Sequence, residues 1–241
     1  MKQTNPFLYR VSQFISLLLG ARIFVLIFFA FTLYVSTFFL FNQEESLRRF
    51  VFDYKVHGII FCSLLSIAAG GIINQFYDQD KDRLQKPFRA RIQRFLKQKY
   101  FLYSYIALSA ISLCLAFMLS PRIFVFFLLY QFLIWLYSHK LSRWLVVNNF
   151  VFVALSLYPF FGLLVYYGYF SPLLFWMAAF LFLILLVVDL LKDILTIRVD
   201  KIFNYKTLPT EFGVKTASAV IIAVLLLTAA VSSVIVTIVP F

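Results

Sequence analysis

Acidic residues are scarce in this chain, and their placement is the first clue to chemistry. Ten are present among 241 residues, and six fall in two clusters, Asp78, Asp80 and Asp82 in one and Asp189, Asp193 and Asp200 in the other. The first cluster lies in AAGGIINQFYDQDKDRLQKP (68–87), where Asn74, Asp78 and Asp82 recur at i, i+4 and i+8. In a helix that spacing stacks them on one face, with Cβ atoms about 5–6 Å apart. Carboxylates so placed repel unless a cation sits among them. Hard oxygen ligands of this kind suit Mg²⁺, which is commonly held by one or two carboxylates plus substrate phosphates. A solvated acidic helix end has the same appearance when taken alone. The second cluster, in VDLLKDILTIRVDKIFNYKTLPTEFG (188–213), is spaced by four and then seven, so its aspartates also share a helical face. Both clusters are interleaved with Lys and Arg, which points to a diphosphate bridged by Mg²⁺.

The elements that must position these residues are apolar. Hydrophobic residues make up 63% of the chain and charged ones 13%, against roughly a quarter charged in soluble domains. Several runs exceed the ~18–20 residues needed to cross the hydrocarbon core as a helix. The expected fold is therefore all-α, a polytopic transmembrane helical bundle. Seven spans are predicted, at about 23–41, 57–77, 100–119, 122–137, 144–167, 173–192 and 217–239, with Pro159 and Gly162 bending the fifth. Residues 1–21 read as an interfacial amphipathic segment with no cleavable signal, and 42–56 and 78–99 read as loops. Both clusters lie at the mouths of spans.

The net charge of +12 does not indicate nucleic acid, because the basic residues sit in short loops between spans. Such loops mark the cytoplasmic side and attract anionic lipid. Eighteen Lys and Arg fall on the side that carries the N-terminus and both aspartate clusters, against four on the other. A multi-pass protein of a bacterial inner membrane is expected, with its N-terminus and both clusters cytoplasmic. Cys62 and Cys114 lie within apolar runs and read as small core residues. His57 borders a span alone, with no partner for catalysis.

The first stretch resembles the NDxxDxxxD motif of the UbiA superfamily of intramembrane prenyltransferases, continued by an INKPxRP-like tail at Lys86-Pro87. The second is similar to that family's KDIxDxxGDxxxGxxTLPxxxG, here Lys192-Asp193-Ile194, Asp200, Thr207-Leu208-Pro209 and Gly213. Tyr137-Ser138 and Asn149 fall where the family carries a YSxxLKRxPxxGN-like turn, and Arg22 where some relatives carry Arg-x-x-Asn. The resemblance covers most of the chain in the right order and implies one UbiA-like domain over 1–241. It implies Asn74, Asp78 and Asp82 on one Mg²⁺ and Asp193 and Asp200 on a second, with Asp189 a weaker candidate. Arg83, Lys86, Lys140, Arg143, Lys192 and Lys206 are the candidates for diphosphate.

The implied activity is transfer of a prenyl group from an isoprenyl diphosphate to a lipophilic acceptor, a quinone-type ring or a glycerol-phosphate lipid. Ionising an allylic diphosphate concentrates negative charge on the leaving group, which Mg²⁺, Lys and Arg stabilise without proton transfer. Aromatic faces, from 32 Phe and 14 Tyr, suit the cation left behind. The chain departs from the family pattern at Gln75, Thr196 and Val199, each standing for another residue, and it stops one span beyond the second motif where relatives have three. Those departures favour an alternative, a degenerate relative that binds prenyl diphosphate or a partner without turnover. A cation transporter is a third reading, which calls for acids near mid-membrane rather than at helix mouths.

Overall fold

A computed structural model describes residues 6–41, 46–93, 96–168 and 170–238. Every regular element in it is helical. Among the described residues, seven helices are long and apolar enough to cross a membrane, so the protein is an integral, multi-pass membrane protein. The chain divides into two compact units, residues 1–139 and 140–241.

The first unit opens with α1 (Pro6–Gly20) and α2 (Ile23–Ser36), the latter running into a π-helical turn at Thr37–Phe41. A short α3 (Leu47–Phe52) precedes the long α4 (Tyr54–Tyr77). Asp53 caps α4 by accepting from the backbone N–H groups of Lys55 and Val56 at 3.0 and 3.3 Å. Two short helices, α5 (Gln79–Gln85) and α6 (Pro87–Gln93), occupy most of the stretch expected to be a loop. Spans α7 (Gln98–Leu119) and α8 (Pro121–His139) complete the unit.

Helix α4 is its axis. Val56, Ile59, Ile60 and Ile72 are buried along it, and small polar groups join it to its neighbours. Ser66 Oγ lies 3.0 Å from Ser112 Oγ of α7, and Gln131 Nε2 of α8 donates to Ser66 at 3.3 Å. Such bonds hold helices together where lipid removes the hydrophobic drive between them. The paired glycines of the 68–87 stretch have a steric reason. A Cβ on Gly71 would stand 2.9 Å from the backbone oxygen of Gly20, so only glycine lets the α1–α2 turn approach. That turn is made by Arg22 in the left-handed region, at φ 56° and ψ 54°. His57 is structural, with Nδ1 3.1 Å from Tyr34 Oη and Nε2 2.8 Å from the Val51 carbonyl. Cys62 is buried as expected, whereas Cys114 is exposed.

The second unit begins with a 3₁₀ turn at Leu141–Arg143, followed by α9 (Val147–Tyr167), α10 (Pro172–Ile202) and α11 (Leu208–Ile238). Helix α9 continues through Pro159 and Gly162 as one element. Val153 of α9, Leu186, Val187 and Leu190 of α10, and Ile221 of α11 form the core. The predicted end of the sixth span, near 192, proves to be where charge begins and not where the helix ends. At 1.5 Å per residue, the 31 residues of α10 reach about 46 Å, well beyond the ~30 Å hydrocarbon core. The second aspartate cluster is therefore helical throughout. Helix α11 starts at the Thr-Leu-Pro sequence, and non-helical Gly213 (φ 82°, ψ 164°) separates its first turn from the apolar span.

Candidate functional site

In the first unit the aspartate face survives the junction between α4 and α5. Asp78 is the hinge residue, at φ −100° and ψ 15°. Its N–H still donates to Asn74 O at 2.9 Å, and Asp82 N–H donates to Asp78 O at 2.8 Å. The i, i+4, i+8 stacking expected of Asn74, Asp78 and Asp82 thus holds across the break. Asn74 and Asp78 are half-buried and Asp82 is buried. Lys86 Nζ sits 3.1 Å from Asp82 Oδ1, at the helix mouth. Arg83 turns elsewhere, to Asp80 at 3.1 Å, and both partners are largely exposed. Arg22 and Arg89 lie within electrostatic range of each other, and Arg89 within range of Asp82. Burial lowers the Arg89 pKa from its ordinary value, the Arg22 charge adds to this, and Asp82 opposes it.

Gln75, which stands where the resemblance places an acid, does not join that face. It is buried against α6, where its Oε1 accepts from Arg89 Nη2 at 2.8 Å and from Gln93 Nε2 at 2.7 Å. Its own Nε2 donates back to Gln93 Oε1. The Arg89 guanidinium also donates to Leu19 O at 2.6 Å, in the last turn of α1. Residue 75 therefore ties α1, α4 and α6 together.

In the second unit Asp189, Asp193 and Asp200 are all buried on α10. Asn149, in the first turn of α9, donates from Nδ2 to Asp189 Oδ2 and to Asp193 Oδ2, both at 2.8 Å. One nitrogen holding two carboxylate oxygens brings those oxygens within the reach of two hydrogen bonds. Desolvated carboxylates this close carry a like-charge penalty that a proton or a cation must relieve. Lys192 Nζ stands 2.6 Å from the other oxygen of Asp189, and Thr196 Oγ1 donates to Asp200 Oδ2 at 2.5 Å.

The remaining candidates lie at the surface. Lys140 rests over the Trp144 ring at 5.4 Å, Arg143 over Tyr205 at 5.7 Å, and Lys206 is exposed in the α10–α11 connection.

The donor set suits a hard cation. Asn149 Oδ1 is buried and has no hydrogen-bond partner among the described residues, and it belongs to the same amide that gathers the two carboxylates. An unpaired buried oxygen is costly, and a cation seated with Asp189 and Asp193 would satisfy it. Among the described residues no three His, Cys, Asp or Glu side chains converge into a closed metal cage. The amide of Asn149 is what reading by acids alone overlooked. It stood in the Tyr-Ser…Asn resemblance without a role, and its signal was its place as a polar residue opening an apolar run.

Comparison with known proteins agrees with this architecture. Digeranylgeranylglyceryl phosphate synthase from Thermococcus sibiricus is 27% identical over 166 residues, 67% of this chain and 58% of that protein. The enzyme of the same name from Pyrococcus furiosus is 30% identical over 173 residues, 70% of this chain and 61% of that protein. The matched stretch thus spans about three fifths of these curated relatives' own length. A UbiA homologue from Archaeoglobus fulgidus, solved bound to DMAPP and Mg²⁺, shares the fold. Its TM-score is 0.75 at 18% identity, with 94% of this chain and 79% of that one covered. Residues 47–241 match the UbiA prenyltransferase family, and the chain belongs to that family.

Proposed function

We propose that the protein is a Mg²⁺-dependent prenyltransferase that moves an isoprenyl group from its diphosphate to a glycerol-phosphate lipid. The observation that carries this reading is the buried Asp189–Asn149–Asp193 arrangement, three oxygen-bearing groups gathered in an apolar unit with an unsatisfied amide oxygen among them. The names of the curated relatives favour a glyceryl phosphate acceptor over a quinone-type ring.

On this reading Asn74, Asp78 and Asp82 serve as one cation site and Asp189, Asp193 and Asp200 as the other. Bound Mg²⁺ supplies Lewis acidity toward the departing diphosphate. Asn149 orients the two carboxylates of its unit, and Thr196 fixes Asp200. Lys86 and Lys192, each held by an aspartate, place ammonium groups at the helix mouths, where diphosphate oxygens need positive charge. Arg143, Lys140 and Lys206 are exposed cations suited to the same anion. The distribution of Lys and Arg supports a cytoplasmic N-terminus and cytoplasmic aspartate motifs.

The test is diphosphate release from geranylgeranyl diphosphate by the protein in lipid, with and without geranylgeranylglyceryl phosphate. Release that needs both Mg²⁺ and the acceptor, and that is lost in Asp78→Asn and Asp193→Asn, is expected. Mg²⁺-dependent binding of the diphosphate without release would instead identify a non-catalytic relative.

A further inference from the structure

Next to the aspartate face runs a second stripe. Gln75, Gln79 and Arg83 also recur at i, i+4 and i+8, one residue on and so about 100° further around the helix. With Gln93 of α6 and Gln98 and Phe101 of α7 they line a pocket of about 220 Å³. The amides at its floor have a defined polarity. Arg89 can only donate, so its 2.8 Å bond to Gln75 fixes which atom of that amide is oxygen. Gln75 Nε2 must then donate to Gln93 Oε1, and this fixes Gln93 in turn, with its Nε2 returned to Gln75 at 2.7 Å.

Both amide oxygens are thereby engaged, while each amide nitrogen keeps one N–H uncommitted by this pair. Gln75 is 5% exposed and Gln93 6% exposed, so water satisfies those N–H groups poorly. The floor of the pocket offers donors, and the Arg89 charge lies directly behind it. Among the described residues, no carboxylate lines the pocket. At its rim Arg83 pairs, among the described residues, only with exposed Asp80, a kind of contact that yields readily to a better anion. The pocket lies where α4 leaves its apolar run and α7 begins, at the polar end of two spans.

We propose that this pocket binds a phosphate group, presented by a membrane lipid headgroup. Amide N–H groups, a guanidinium and a half-buried positive charge match acceptor-only phosphate oxygens. Its place at the polar ends of two candidate spans suits the level at which lipid phosphates lie. The proposal does not depend on prenyl transfer, since the pocket uses none of Asn74, Asp78 or Asp82.

Binding is measured by native mass spectrometry on the full chain in maltoside detergent with chelator present. The probes are phosphatidylglycerol, diacylglycerol with the same chains, and inorganic phosphate. Retention of phosphatidylglycerol but not diacylglycerol is expected, reduced at least about tenfold in Gln93→Leu, which removes hydrogen bonding to a charged group. Gln79→Glu, on the half-buried wall, should weaken retention by charge repulsion and serves should Gln93→Leu fail to fold. Lys201→Gln, on α10, should bind as the unaltered protein does, separating the pocket from general attraction of a basic protein to anionic lipid. Displacement of the lipid by millimolar inorganic phosphate would assign the site to free phosphate, with the same recognition chemistry. Equal retention of both lipids, or undiminished phosphatidylglycerol binding in the pocket variants, would overturn the proposal.

Discussion

Thr196 donates its hydroxyl to Asp200 Oδ2 at 2.5 Å, within one turn of α10. It stands where the family resemblance places an acid, so the substitution exchanges a carboxylate for a donor that neutralises part of the demand of its neighbour. A hydrogen bond to a buried charged group contributes about 1.5–3 kcal/mol. Thr196→Val should therefore lower stability by about 2 kcal/mol in chelator. Thr196→Asp should lower it further without Mg²⁺ and recover when Mg²⁺ is added. Thermal unfolding with and without Mg²⁺ checks both. A Thr196→Asp protein indifferent to Mg²⁺ would show that residue 196 lies outside the reach of a bound cation.

Asn149 joins Asp189 to Asp193 through one nitrogen. Asn149→Ala leaves two buried carboxylate oxygens without their shared donor, and removes the unpartnered Oδ1 as well. The loss of the donor is expected to cost about 2–4 kcal/mol in chelator, since each deserted charged acceptor carries a desolvation penalty. Mg²⁺ should restore part of that loss by taking over the carboxylates, with a weaker apparent affinity because one oxygen ligand is gone. Titrating Mg²⁺ against the unfolding midpoint separates the two effects. An unchanged midpoint in chelator would mean that the amide does not hold the pair.

How much of this was legible in the sequence depends on what each residue answers to. The seven spans follow from apolar runs longer than a bilayer core, which composition records directly. The aspartate faces follow from spacing, and Asp78 keeps its register because the helical hydrogen bonds cross the hinge. The length of α10 did not follow, because Lys192 and Asp193 mark exit from the apolar layer, and a helix is free to continue past that layer. Helices α5 and α6 were hidden for a similar reason. Their charge density reads as a loop, and it is the Gln75–Gln93 pair and the Arg89 bond to Leu19 that pin α6 in place. No pattern along the chain announces a contact between residues 75 and 93.

Gln75 bears directly on whether this chain can be active. Read from the sequence, the missing acid at that position favours a non-catalytic relative, yet the side chain belongs to the strut formed with Arg89 and Gln93. Restoring an acid with Gln75→Asp should leave Mg²⁺-dependent diphosphate release within about twofold, because the change touches no group on the Asn74–Asp78–Asp82 face. Gln75→Leu should instead destabilise the protein by about 2–3 kcal/mol, stranding a half-buried guanidinium donor and the buried Gln93 amide. Parallel assays of release and thermal unfolding distinguish the outcomes. A large gain in release from Gln75→Asp would return residue 75 to the metal site.

Val146 sits just before α9 at φ 64° and ψ −46°, with Val147 N–H donating to Leu145 O at 2.7 Å. That is a tight three-residue turn in a conformation that β-branched residues rarely adopt. Its cost is of the order of 1–3 kcal/mol, and the turn sets where α9 begins and hence where Asn149, three residues on, meets Asp189 and Asp193. Glycine tolerates the same angles without a Cβ clash but loses more entropy on folding. Val146→Gly should therefore raise stability by about 1 kcal/mol net, read as a higher unfolding midpoint in chelator. The Mg²⁺-induced shift of that midpoint should be unchanged, since the backbone path is kept. A smaller Mg²⁺ shift alongside higher stability would show that the valine side chain itself, and not merely the turn, keeps Asn149 against its two carboxylates.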